Sequence, residues 1–128
     1  MREILFRGKT FDGEWLYGDL WNGIDKYINS HVCIMLVDPD TVSEFTGLRD
    51  KNGKGIFEGH IVLAKVGLHT YIGIVKYDEK CAMFVVEAFG RYKNKTEHTD
   101  KFCFSCEYIT EVIGNKWDNP ELLEGGEE

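Results

Sequence analysis

Five segments in the second half of the chain, HIVLAKV at 60–66, TYIGIVKY at 70–77, AMFVVEAF at 82–89, FCFSCEYI at 102–109 and TEVIGN at 110–115, are rich in β-branched and aromatic residues. Such residues pack on a pleated surface, so this half is committed to sheet. The chain is punctuated by Asp12-Gly13, Asn22-Gly23 and Asn52-Gly53, each between apolar or alternating segments. Asn, Asp and Gly accept the positive φ of a type I′ turn at least cost, so three tight hairpins follow. Strands near 3–9, 14–21 and 24–29 then form an antiparallel meander.

Closure satisfies the edge hydrogen bonds that an open sheet of short strands would expose. The expected fold is therefore mainly β with little helix: an N-terminal antiparallel β meander followed by a small β-barrel, SH3-like in topology, over residues 57 to 115. The best helix start is Asn119-Pro120-Glu121, where Asn caps and Pro fits the first position, but Gly125-Gly126 ends it quickly. With 128 residues, 43% of them hydrophobic and 13% aromatic, there is enough to build one core. The reading is one domain over 1–123, with 124–128 a disordered acidic tail.

No apolar run approaches the roughly 18 residues of a membrane-spanning helix. MREILFRGK has no long apolar stretch or small-residue cleavage site, so a cytoplasmic protein without membrane association is expected. The four cysteines, Cys33, Cys81, Cys103 and Cys106, are irregularly spaced and are expected to be free thiols.

The run TVSEFTGLRDKNGKGIFEGHIV at 41–62 resembles the YopX family of phage and prophage proteins. Three further stretches carry the likeness: the basic start Arg2-Glu3-Ile4-Leu5-Phe6-Arg7, the Gly-Ile-Val strand at 73–77, and the ending Glu111-Val112-Ile113-Gly114-Asn115 with Asn119-Pro120-Glu121-Leu122-Leu123. They fall in the family's order and span nearly the whole chain. The resemblance implies a mainly β, phage-borne protein in a bacterial cell, with no biochemical activity to carry over residue by residue. Two positions depart from the family: His60 stands where an acid is usual after Glu-Gly, and Gly55 where a charged residue is usual after the NGK turn.

The residues offer little catalytic chemistry. Cys103 and Cys106 have metal-ligand spacing, but a structural zinc site needs four ligands and no second pair exists. On a strand, the two thiols point to opposite faces unless a turn intervenes. Packed thiols, no metal and no cofactor are expected. Asp50, Asn52 and Gly55 imitate the start of a calcium loop, but Lys54 and Ile61 occupy positions that need ligands, and a hairpin turn accounts for the stretch. His31, His60, His69 and His98 are scattered. Glu58 and His60, placed on one strand face by alternation, are the one pairing that leaves a small-ligand or enzymatic alternative open. Otherwise no catalytic residue is assigned and the chain is read as a non-enzyme.

Two surfaces stand out. Arg91, Tyr92, Lys93, Lys95 and Lys101, with His98, gather positive charge around an aromatic ring, as a single-strand nucleic-acid site would. Glu97, Asp100 and the net charge of -7 oppose that reading. The segment EWLYGDLW at 14–21 places Trp15, Tyr17 and Trp21 on one strand face and Leu16 and Leu20 on the other. A strand apolar on both faces needs cover on both, from its own chain or from another copy. The leading expectation is a homo-oligomer acting through contacts with itself and with a phage or host protein, its interface built on Trp15, Tyr17 and Trp21.

Overall fold

Strands form in each expected segment, though the one read over 102–109 stops at Ser105 before a 3-10 turn, and a long strand joins them that the apolar pattern does not announce. The structure, a computed structural model, describes residues 3–91 and 102–124. Its strands are β1 (Phe6–Lys9), β2 (Trp15–Asn22), β3 (Lys26–Asn29), β4 (Ile34–Arg49), β5 (Gly55–Phe57), β6 (His60–Val66), β7 (His69–Asp78), β8 (Met83–Arg91), β9 (Phe102–Ser105) and β10 (Ile109–Asn115). Single 3-10 turns occupy Cys106–Tyr108 and Pro120–Glu124, the latter at the expected helix start. The strands make two antiparallel sheets, ordered β1-β2-β3-β4-β5 and β10-β6-β7-β8-β9, with β1 also pairing with β4. The mainly β expectation holds. Among the described residues no helix is long and apolar enough to cross a membrane.

The residues gather into two compact units, Met1–Gly47 and Leu48–Glu128. In the first, Ile28 and Val37 are fully buried, and Gly8 exists because a Cβ there would lie 2.8 Å from the Val37 side chain. β4 pairs with β3 through Ile34 to Val37, then with β1 from Asp38 to Glu44. Pro39 sits at this change of partner, where the register with β1 shifts. A proline cannot donate to a ladder and so belongs at such an irregularity. Thr41 repairs the gap: its hydroxyl donates to the Asp38 carbonyl at 2.6 Å and accepts the Lys9 N–H at 2.8 Å.

The second unit packs Ile56, Val62, Val75, Val86, Cys106, Ile109 and Val112 on one face of its sheet. Ile61, Leu63 and Ile72, with Ile113 and Leu122 against them, lie in a separate cluster. Alternation sorts them: Val62 pairs with Gly73 and Val75 with Val86, while Ile61 pairs with Ile74 and Leu63 with Ile72.

Two of the three expected turns stand where the dipeptides put them, but in another form. In Thr10–Glu14 and Asp50–Lys54 the first N–H meets the fifth carbonyl, at 2.8 and 2.9 Å, and the fourth N–H meets the first carbonyl at 2.9 Å. Positive φ falls on Gly13 and Gly53 alone, not on Asp12 or Asn52. These are three-residue loops, a type I turn followed by a left-handed glycine, rather than two-residue type I′ turns. At the third site Asn22 remains in β2 opposite Lys26, and the loop is Gly23 to Asp25.

Gly59 is more tightly constrained than either turn glycine. Its φ is +86°, and a Cβ would lie 2.5 Å from the Trp117 ring. Gly53 has a φ of +82° but open space around it. Urea unfolding should therefore find Gly53→Ala destabilised by about 1 kcal/mol from the backbone alone, and Gly59→Ala by about 3 kcal/mol once overpacking is added. Equal midpoints for the two variants would contradict the Trp117 contact.

Candidate functional site

Within the family-like run, the turn at 50–54 is organised around a buried carboxylate. One Asp50 oxygen, Oδ1, accepts the N–H groups of Asn52 and Lys54, each at 2.9 Å, and Oδ2 accepts the Val112 N–H of β10 at 2.9 Å. The Lys51 N–H meets the Thr110 carbonyl at 3.0 Å, and the Lys51 ammonium lies 3.7 Å from Glu111. Burial pushes the Asp50 carboxyl up, but the N–H groups of Val112, Lys54 and Asn52 and the charge of Lys54 outweigh it and hold it below the ordinary carboxylate range. The residue that imitates a calcium ligand in sequence is thus spent on backbone.

His60 is likewise engaged. It is buried, its Nδ1 accepts the Phe57 N–H at 2.9 Å, and its ring meets the Phe57 ring edge-on. In this tautomer the proton of the neutral ring sits on Nε2. Phe57 to His60 is a turn, with Glu58 and Gly59 outside any strand, so the expectation that Glu58 and His60 share a strand face is corrected.

The chain's ending is a mutual lock. Asn115 Oδ1 accepts the N–H groups of Trp117 and Asp118 at 3.0 and 2.9 Å, and Asn119 Oδ1 accepts the Asn115 N–H at 3.2 Å. A Cβ on Gly114 would lie 2.6 Å from that Asn119 oxygen. The Lys116 N–H bonds the Gly59 carbonyl. Each of these recognisable stretches therefore carries a backbone task.

A 3-10 turn does intervene between Cys103 and Cys106, but it separates their environments. Cys103 is exposed on β9, while Cys106 lies in the core, where burial pushes its thiol up to about 11. Cys81 is exposed and raised by the neighbouring Asp78 charge and hydrogen bond. Among the described residues no group of three or more His, Cys, Asp or Glu side chains could hold a metal ion.

Tyr92, Lys93, Lys95, His98 and Lys101 lie outside the described residues, as do the Arg91 side chain and the tail from 125. The Arg91 backbone pairs with Tyr71 on β7. Tyr71 opens a row of rings: its ring meets Phe104 edge-on at 6.3 Å, and Phe104 stacks on Tyr108 at 5.9 Å, with planes 26° apart.

The outer face of the first unit carries the other surface. Trp15 is half-buried beneath the Arg7 guanidinium, which lies 4.0 Å from its ring centre. Tyr17 and Trp21 are exposed, and register adds residues that the β2 segment alone does not reveal. Trp21 pairs with Tyr27 and Tyr27 with Leu36, while Asp19 pairs with Asn29 and Asn29 with Ile34. Trp21, Tyr27, Ile34 and Leu36 thus share one face and are 50%, 36%, 47% and 41% exposed. Tyr27 and Leu36 escape a sequence reading because their strands are short or unannounced; only cross-strand pairing brings them to Trp21.

The model of a family described as YopX protein matches residues 5–124. No curated protein matches the chain.

A thiol reagent at pH 8 should label Cys33 and Cys103 faster than Cys81, and Cys106 only on unfolding, because reactivity follows accessible thiolate. Peptide mapping of the labelled sites over time checks the order. Early labelling of Cys106 would contradict its place in the core.

Proposed function

The chain belongs to the YopX family, and on that footing we propose that it is a non-enzymatic, phage-type accessory module that works by protein contacts and associates with itself. The observation carrying this reading is the cross-strand row Trp21, Tyr27 and Leu36, exposed beside Tyr17 and Ile34. With each side chain a third to a half open, the patch amounts to about 400 Å2, large for the surface of a monomer. It has the aromatic character of an interface centre, and Asp19 and Asn29 on the same face provide a polar surround. The occupant of this reading is a second copy of the chain, each sheet face covering the other. Trp15, engaged by Arg7, fixes the strand from which Tyr17 and Trp21 project.

The finer fold assignment belongs to the same proposal: residues 57 to 115, within the second unit, form an SH3-like barrel. Its support is the strand order β10-β6-β7-β8-β9, with a 3-10 turn between β9 and β10. The rival reading is single-strand nucleic-acid binding through residues 91 to 101, where Arg91, Lys93, Lys95 and Lys101 gather charge around Tyr92.

Light scattering at tens of micromolar should give a mass above that of one chain. Trp21→Ser with Tyr27→Ser should give the monomer mass with an unchanged circular dichroism spectrum, since both side chains are exposed. A monomeric wild type, or a double variant of undiminished mass, would overturn self-association.

A further inference from the structure

We draw no further inference here: the strongest candidate, the cavity of about 460 Å3 beside the β7–β8 turn lined by Lys76, Asp78, Lys80, Val85 and Cys103, rests on the lone exposed thiol of Cys103 once Lys76 is paired with Glu87 and Asp78 has accepted the Lys80 and Cys81 N–H groups, and nothing among the described residues points to a ligand there.

Discussion

Asp50 holds the second unit to its own first turn. A carboxylate removed from water is costly unless its charge is met, and here the meeting groups are three backbone N–H donors, two in the turn and one on β10. The partners are 62 residues apart in sequence for the Val112 bond, so this one side chain ties the start of the unit to its last strand. Around it sit the Lys51 contacts to Thr110 and Glu111, and beyond those the turn at Gly59 packed under Trp117. The counterpart in the first unit, Thr10, closes an identical loop with a hydroxyl that accepts the Glu14 N–H at 3.1 Å. A neutral hydroxyl suffices there because it satisfies one local donor, whereas Asp50 serves the turn and a distant strand together.

Side chains in the stretches DKNGK, EGHIV and EVIGN with NPELL cap turns or fill a glycine's space. His60 belongs to the same set of braces, its Nδ1 accepting the Phe57 N–H across the turn.

Strands whose residues alternate or run apolar were legible within a residue or two, β2, β6 and β7 among them. β4 was not, because Asp38-Pro39-Asp40 interrupts it and its second half, TVSEFTGLR, alternates weakly. Only the exchange of partners at Pro39, repaired by Thr41, makes it one strand. The turn sites were legible from Asp-Gly and Asn-Gly, but their form was not: a type I turn with a left-handed glycine and a type I′ turn draw on the same dipeptides and differ by one residue of loop. Trp21 was legible as an exposed aromatic candidate. Its neighbours Tyr27 and Leu36 were not, since a face is a property of register, and a residue reaches it from strands that local pattern cannot align. Asp50 was visible only as a failed metal ligand, because nothing local signals a partner on β10.

The most direct test of this account is the unfolding free energy of wild type and Asp50→Asn from pH 7 to pH 2. In the folded chain the Asp50 carboxyl titrates below its unfolded value of about 3.9. Its contribution is therefore fully present above that value, and is lost as pH falls through the folded value, since the unfolded state binds the proton first. Asn keeps an oxygen for the turn but turns an amide against the Val112 N–H, leaving a buried donor unmet. The expected result is a deficit of about 2–3 kcal/mol for Asp50→Asn at pH 7, shrinking as pH drops below about 4. Equal stabilities at pH 7, or a deficit unchanged down to pH 2, would contradict the claim that this charged brace holds the unit together.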